Sequence, residues 1–397
     1  MADLSSAEGR RHKPSVMWWR DERKRGLLAQ LLVAVAAVGF AWFLVHNMVA
    51  NQARLGVPLS LSFLSDPAGF QLSFAAMSVT LDSPIQRILL VGALNTLLAS
   101  AVAIVIATTL GVIIGIMRLS TNWLIARIAE VYIEAIRNVP LLLQLVFWYG
   151  GVLAALPKAK DALGIGDVVF LSIKGLFMPR PIVQGDFWIV LAVFVTSIVA
   201  AVVIRRWAKK RQMQTGQQFP SFSVGFALII GLPVLASLLL GNPVEWEVPQ
   251  KGTFNFTGGL AFQPEVVALI MGLAVSSAAY IAEIVRGGIV AISHGQTEAA
   301  YALGLRPRTN LRLVIIPQAL RIIMPPMISQ YLNVVKNSTL AGFIGYPDLF
   351  SVISTSQNQT GRAVECVAIL MLFYLTVSLS ISLVMNWFNK RVALVER

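Results

Sequence analysis

The stretch EAAYALGLRPRTNLRLVIIP, residues 298–317, is polar, punctuated by glycine and proline, and lies between two long apolar runs. Residues 298–303 are good helix formers, and Gly304 can adopt the positive φ that ends a helix. Pro307 suits the first turn of a second helix, and Pro317 marks a further boundary. The stretch therefore predicts a compact hairpin of short helices that connects two membrane spans.

Apolar runs occupy most of the remaining chain. Of its 397 residues, 56% are hydrophobic and 13% are charged, whereas a soluble domain has about 25% charged residues. Because about 20 apolar residues cross the hydrocarbon core of a bilayer, the sequence predicts an all-α membrane protein with about eight transmembrane helices. The predicted spans are residues 27–49, 88–117, 128–156, 187–204, 222–240, 262–285, 320–335 and 363–388.

Proline interrupts two of these spans. Pro140 follows Asn138 and Val139 in the third span. It cannot donate a backbone hydrogen bond and disfavours helical geometry in the preceding residue, so we expect a kink there. Pro325 and Pro326, near the start of the seventh span, predict kinking and local unwinding.

The basic residues predict how the chain is oriented. With eight spans, both termini lie on one side, and 22 of the 32 lysines and arginines fall in the termini and connections of that side. Eight fall on the opposite side, half of them in residues 157–186, and two lie inside spans. Positive residues favour the cytoplasmic side. We therefore expect cytoplasmic tails at 1–26 and 389–397, a periplasmic segment at 50–87, and the polar hairpin in a cytoplasmic loop at 286–321.

The sequence argues against several classes of function. It has no GxxxxGK[ST] phosphate-binding loop, and its three histidines, His12, His46 and His294, are too widely separated for a catalytic motif. The single cysteine, Cys366, lies in an apolar run and provides neither a disulfide nor a cysteine metal site. The net charge is +13, and the basic residues lie beside apolar runs. This placement favours a role in membrane orientation over nucleic-acid binding. We predict no enzymatic activity, no metal and no cofactor.

The spacing within residues 298–317 resembles the EAA loop of ABC importer permeases. In that family the loop forms a coupling helix that docks into a cleft on the ATP-hydrolysing subunit. The resemblance implies the fold of a type I ABC importer permease core, moved by a separate ATPase. The matching residues are the EAA triplet, a glycine six positions after its glutamate, and a proline after an apolar triplet: Glu298, Ala299, Ala300, Gly304 and Pro317.

Other segments are similar to the polar amino-acid branch of this family. They cover most of 88–156 and 262–388 and imply a permease domain over 88–388. The insert 157–261, with two extra spans, and the long segment 50–87 look like the larger permease of the general L-amino-acid importers of Gram-negative bacteria. The similar segments are NTL at 95–97, RNVPLLLQL at 137–145, AYIAEIVRGG at 279–288, GQ at 295–296, PQALR at 317–321 and KNSTL at 336–340.

The resemblance implies a subunit that carries L-amino acids across the bacterial inner membrane without chemistry of its own. It also implies three kinds of partner: a second permease subunit, a dimer of ATP-binding subunits and a periplasmic amino-acid-binding protein. An ion-coupled secondary amino-acid transporter is the alternative, because a bundle of eight spans with buried charges is compatible with one. Such transporters often contain inverted repeats, and the sequence shows no convincing internal repeat.

One group of polar residues is a candidate translocation pathway. Lys336 closes the proline-containing seventh span, and Asn337, Ser338 and Thr339 follow it. Small polar side chains and loosened backbone at depth can replace the hydration shell of a zwitterion. We predict that these residues, with Gln144 beside the kink in the third span, line the pathway. Packing at the periplasmic end of the span is an equal alternative for the Lys336 segment.

Two ion pairs are expected within the membrane region. Glu134 and Arg137 are three residues apart on a predicted helix, as are Glu283 and Arg286. Unpaired charges are costly in a bilayer, so we expect both pairs to form. They would brace the helices around the cytoplasmic loop, with direct contact to a substrate as the alternative.

Overall fold

The structure, a computed structural model, is helical over most of its length. Most of the predicted tail 1–26 and the end of the predicted tail 389–397 lie outside the described residues. Within the described part, α1 already begins before residue 26 and the last helix continues past residue 389. The residues that the structure describes are 22–54, 56, 59–252 and 254–392.

Twelve α-helices occur in the described ranges. In chain order they are α1 (Glu22–Arg54), α2 (Ile85–Arg118), α3 (Trp123–Arg137), α4 (Leu141–Val146), α5 (Phe187–Thr215), α6 (Ser221–Leu239), α7 (Pro264–Val290), α8 (His294–Ala302), α9 (Pro307–Asn310), α10 (Ile316–Asn337), α11 (Leu349–Thr360) and α12 (Ala363–Val392). A π-helical turn, Phe147–Leu153, extends α4, and another, Leu311–Ile315, joins α9 to α10.

Seven helical segments of the described chain are long and apolar enough to cross a membrane, and the bent pair of α3 and α4 makes an eighth. The sixth of the seven is a continuous run from Pro307 to Ile344 that includes α9 and α10. The prediction of about eight transmembrane helices is therefore confirmed. The span predicted at 320–335 belongs to a considerably longer helical run.

Pro325 and Pro326 do not unwind α10, contrary to the prediction from the sequence. Both lie inside the helix with exposed side chains. Ile323 and Met327 on the other face are buried in a cluster with side chains of α7, and this packing holds the helix despite the missing N–H groups. The irregular turn lies earlier, at Leu311–Ile315.

Helices α2 and α7 pack closely along their length and form the centre of the bundle. A Cβ atom placed on Gly111 of α2 would lie 2.6 Å from Cβ of Ile281 and 2.9 Å from the carbonyl oxygen of Ala278, both on α7. These distances are too short for any side chain. Small residues at such crossings let transmembrane helices approach one another closely. The glycine therefore sets the distance between the two central helices.

The third predicted span is two helices, α3 and α4, bent by 104° where they meet. Pro140 precedes α4 and lacks an N–H group, as the kink prediction required. The side chain of Gln144 closes the break, because its Nε2 donates to the carbonyl oxygens of Ile136 (3.0 Å) and Val139 (2.9 Å). Gln144 is buried. Its amide thus stabilises the bend and does not line a passage, contrary to the prediction.

The insert 157–261 contains α5 and α6, as predicted, and also short antiparallel strands that were not predicted. One sheet has the order β1-β2-β3-β8, while β4 pairs with β5 and β6 with β7. Phe170, Phe177 and Phe256 stack in a small core of their own. The strands are β1 (Leu163–Ile165), β2 (Val169–Ser172), β3 (Gly175–Met178), β4 (Arg180–Val183), β5 (Val244–Glu247), β6 (Gln250–Lys251), β7 (Phe256–Thr257) and β8 (Leu260–Phe262).

A buried polar network ties α2 to the start of α11. Asn95 Nδ2 donates to the carbonyl oxygen of Pro347 (2.9 Å). The backbone N–H of Leu349 donates to Oγ1 of Thr96 (3.0 Å). Asp348 caps α11 by accepting two backbone hydrogen bonds, and burial nevertheless raises its pKa to about 7. The network fixes α11 against the central helix.

The segment between α1 and α2 is shorter than the predicted 50–87, because α1 continues to Arg54 and α2 begins at Ile85. Phe63 and Ala68 of this segment are buried in a cluster with side chains of α2, α11 and α12. The segment therefore packs on the bundle.

Candidate functional site

A polar cavity of about 430 Å³ lies at the bend between α3 and α4, facing α7 and α10. Seven of its ten lining residues have polar side chains. Polar groups among transmembrane helices are costly unless they are hydrated or paired, so the cavity suits water or a polar solute. Its lining consists of Arg137, Asn138, Val139, Pro140, Leu141, Ser276, Tyr280, Gln330, Asn333 and Asn337.

Two helices present polar faces to this cavity. Gln330, Asn333 and Asn337 are spaced by three and four residues on α10, which places them on one face. Ser276 and Tyr280 are four residues apart on α7 and also line the cavity. Of these five residues, only Asn337 is among the residues predicted to line a pathway. The helical spacing of Gln330 and Asn333 could have predicted them from the sequence. The contribution of α7 could not be predicted in this way, because it depends on how the helices pack.

The other predicted pathway residues lie elsewhere. Lys336 is exposed and does not line the cavity. Ser338 is buried, and its Oγ donates to the carbonyl oxygen of Val335 (2.8 Å). Thr339 Oγ1 donates to the carbonyl oxygen of Lys336 (2.8 Å). Successive helical residues point about 100° apart, since a turn takes 3.6 residues, so four consecutive residues cannot all face one cavity.

Arg137 stands between this cavity and a second, charged one. Its guanidinium carbon lies 5.3 Å from the centroid of the Tyr280 ring, in a cation–π contact. Glu134 also lines the charged cavity, but the predicted ion pair between Glu134 and Arg137 is not formed in the described structure. The guanidinium of Arg137 thus contacts the Tyr280 ring of α7 instead of the expected Glu134 carboxylate.

The charged cavity has a volume of about 290 Å³. Arg118 at the end of α2 pairs with Glu130 of α3 at 2.8 Å, and Glu283 pairs with Arg286 within α7 at 2.6 Å. The pair between α2 and α3, which was not predicted, links two helices, whereas the predicted α7 pair is internal to one. Three arginines and three glutamates line the cavity with one apolar residue: Arg118, Glu130, Ile133, Glu134, Arg137, Glu283 and Arg286.

The stretch that resembles the EAA loop forms two helices joined by a sharp turn, which we name the α8–α9 hairpin (residues 294–310). Helix α8 ends at Ala302, Gly304 has a φ of +75°, and Pro307 begins α9. The carbonyl oxygen of Ala300 accepts a hydrogen bond from the N–H of Leu305 (3.0 Å). The predicted helix, break and second helix are confirmed.

The outer surface of the α8–α9 hairpin is exposed and partly apolar. Glu298 and Ala299 are exposed, and Glu298 Oε1 lies 3.0 Å from Nδ1 of His294. The side chains of Tyr301 and Leu303 protrude beside them, with Leu303 81% exposed. Adjacent exposed apolar side chains of this kind are typical of a protein interaction surface.

The α8–α9 hairpin is connected to the polar cavity through α10. Gln318 Nε2 donates to Oε1 of Gln296 on α8 (3.1 Å), and Pro317 lies in the first turn of α10. The same helix carries Asn333 and Asn337 at the cavity. A displacement of the hairpin can therefore be transmitted along one helix to the cavity wall.

Comparisons with known proteins identify the family. Residues 189–394 match the family described as binding-protein-dependent transport system inner membrane component. The chain is 47% identical to the general L-amino acid transport system permease protein AapQ of Rhizobium johnstonii, over 95% of this chain and 94% of that protein. It is 46% identical to the putative amino-acid ABC transporter permease protein YhdX of Escherichia coli, over 94% and 95% of the two chains.

A third relative is named for four amino acids. The glutamate/glutamine/aspartate/asparagine transport system permease protein BztB of Rhodobacter capsulatus is 39% identical, over 95% of this chain and 96% of that protein. These matches extend over almost the full length of both partners in each comparison. The chain belongs to the family of binding-protein-dependent transport system inner membrane components.

Proposed function

We propose that this chain is the permease subunit of an ATP-driven importer that moves L-amino acids across the bacterial inner membrane. The observation that carries the proposal is the polar cavity at the bend of α3 and α4, connected through α10 to the exposed α8–α9 hairpin. The relatives described above, which are named as amino-acid transport permeases, support the substrate class. None of them supports the alternative of an ion-coupled secondary transporter.

The cavity suits a zwitterionic solute. The amides of Gln330, Asn333 and Asn337 can each donate and accept hydrogen bonds, which matches both an ammonium and a carboxylate group. The guanidinium of Arg137 adds a fixed positive charge at the wall. A neutral polar face with one cation fits an amino acid better than it fits an inorganic ion, which would need a denser shell of ligands.

The energy for transport comes, in this proposal, from a separate ATPase. The sequence contains no phosphate-binding loop, while Tyr301 and Leu303 give the α8–α9 hairpin an apolar surface on which a partner can dock. In this proposal the hairpin and both termini lie in the cytoplasm, because that side of the chain carries most of the lysine and arginine. A second permease and a periplasmic amino-acid-binding protein complete the proposed assembly.

A pair of neighbouring substitutions tests the cavity. We expect Asn337→Leu to lower amino-acid uptake roughly tenfold or more, because a hydrogen bond to a charged group contributes about 1.5–3 kcal/mol. Lys336→Met, one residue away and outside the cavity, should retain most of the uptake. Uptake of radiolabelled amino acids is measured in cells, with the membrane level of each variant as a control. Normal uptake by Asn337→Leu together with loss in Lys336→Met would contradict the assignment.

A further inference from the structure

The hairpin formed by α5 and α6 carries a basic patch at one end. Helix α5 extends eleven residues beyond Ile204, to Thr215. The preceding stretch, residues 187–204, is apolar and spans about 27 Å at 1.5 Å per residue, close to the ~30 Å hydrocarbon core of a bilayer. The charges therefore begin where the hydrocarbon ends. The basic patch consists of Arg205, Arg206, Lys209, Lys210 and Arg211.

These positive charges are not paired with any acidic side chain of the described residues. No aspartate or glutamate occurs in residues 187–244, and among the described residues none of the five forms an ion pair. Helices α5 and α6 pack chiefly against each other, and only 6% of the apolar window of each is buried. The rest of the described chain therefore covers little of this hairpin, and its charges are accessible to an external anionic group.

One cation of the patch is held in position. The guanidinium of Arg211 lies 5.4 Å from the ring centroid of Trp207 and donates through Nη2 to Oε1 of Gln217 (3.1 Å). Phe219 packs edge-on against Trp207, with centroids 5.5 Å apart. Gly216, with a φ of +71°, turns the chain back so that these contacts form. An aromatic pair beside a fixed guanidinium is suited to the headgroup level of a membrane.

We propose that the basic patch is a binding site for anionic phospholipid headgroups, which it recognises through their phosphates. Clustered lysine and arginine next to a transmembrane helix attract anionic lipids, and the planar guanidinium of Arg211 matches two phosphate oxygens. The site belongs to the insert and is independent of the amino-acid cavity. It gives the insert a role in holding the permease in an anionic lipid environment.

Lipid binding to matched variants tests this proposal. The triple variant Lys209→Gln/Lys210→Gln/Arg211→Gln keeps Arg205 and Arg206 as orientation signals. The matched control removes three exposed lysines from the other end of the insert and changes the net charge equally. Its substitutions are Lys158→Gln, Lys160→Gln and Lys174→Gln.

Purified full-length chain in neutral detergent is titrated with phosphatidylglycerol or phosphatidylcholine, and bound lipid is counted by native mass spectrometry. At low salt each basic residue near the surface contributes about fivefold in affinity, so the triple variant should bind phosphatidylglycerol roughly a hundredfold more weakly. The control should bind phosphatidylglycerol as the unmodified chain does. Arg211→Lys keeps the charge and should lose only a little affinity. Phosphatidylcholine should bind weakly to all.

Equal phosphatidylglycerol binding by the triple variant and the control overturns the proposal. The proposal is also overturned if the unmodified chain shows no preference for phosphatidylglycerol over phosphatidylcholine. This holds even if an acidic protein co-purifies with the unmodified chain and is lost from the triple variant. If size-exclusion chromatography shows that the triple variant is not folded, the single variant Lys210→Gln replaces it. Lys160→Gln then replaces the triple control. The expected difference between these single variants is about fivefold.

Discussion

Gly304→Val is expected to abolish ATP-driven amino-acid uptake while the chain still reaches the membrane. Gly304 has a φ of +75°, and a Cβ atom at this position would meet no atom within 4 Å. The substitution therefore acts on the backbone alone. The left-handed conformation costs an L-residue roughly 1–2 kcal/mol, and a β-branched residue more, so the turn between α8 and α9 would change. A displaced α8–α9 hairpin would no longer transmit the motion of the proposed ATPase partner to the membrane helices.

Gly216→Val is the matched control for this prediction. Gly216 has a φ of +71° and also has no atom within 4 Å of a placed Cβ, but it joins α5 to α6. The two variants thus carry the same type of backbone strain in different connections. Uptake and co-purification of the ATPase are measured for both. If Gly304→Val transports normally, or if both variants lose transport equally, the α8–α9 hairpin is not the coupling element.

Gly111→Val is expected to prevent the bundle from assembling. The Cβ position is already occupied at 2.6 Å by Ile281 and at 2.9 Å by the carbonyl oxygen of Ala278, and part of that obstacle is rigid backbone. Helices α2 and α7 would have to separate, which disrupts packing throughout the centre of the bundle. Overpacking usually costs about 1–3 kcal/mol, and more where the neighbours cannot move. We expect little or no monodisperse protein.

Gly231→Val on α6 is the control for helix propensity. A Cβ atom on Gly231 has no neighbour within 4 Å, so this variant carries the same change in residue type without a steric clash. Both variants are compared by fluorescence-detected size-exclusion chromatography and by the melting temperature of the purified protein. A Gly111→Val protein with the yield and melting temperature of the Gly231→Val protein would show that α2 and α7 are not in close contact.

Features that depend on neighbouring residues in the chain were predictable from the sequence. The number of spans follows from the length of apolar runs, and the kink at Pro140 follows from its missing N–H group. The turn at Gly304 is equally local, because only the backbone of that residue and the following Pro307 are required. These predictions did not need the position of any other helix.

Features that depend on packing between distant segments were predicted poorly. The spacing of Glu134 and Arg137 allows an ion pair, but the ring of Tyr280, supplied by α7, contacts the guanidinium instead. Gln144 has the polarity of a pathway residue, yet the bend leaves carbonyl oxygens that its amide satisfies. The strands of the insert are two to four residues long, too short for a clear alternating pattern. Two of the pairings, β3 with β8 and β4 with β5, also join strands that α5 and α6 separate in the chain.

The lining of the polar cavity was partly predictable from the sequence. Gln330, Asn333 and Asn337 form a polar stripe that helical spacing alone identifies, although only Asn337 is among the predicted pathway residues. The wall formed by Ser276 and Tyr280 could not be assigned without the packing of α7 on α10. The consecutive residues from Lys336 to Thr339 were grouped by their chemistry, although a helix separates neighbours by about 100°.

The most direct test of the account is the energy source of transport. The chain is reconstituted in proteoliposomes with its co-purified partner subunits and binding protein, and uptake of radiolabelled L-amino acid is followed. We predict uptake only with hydrolysable ATP on the side of the α8–α9 hairpin, and no loss when a protonophore collapses the ion gradient. Uptake that continues without ATP and stops with the protonophore would contradict the account.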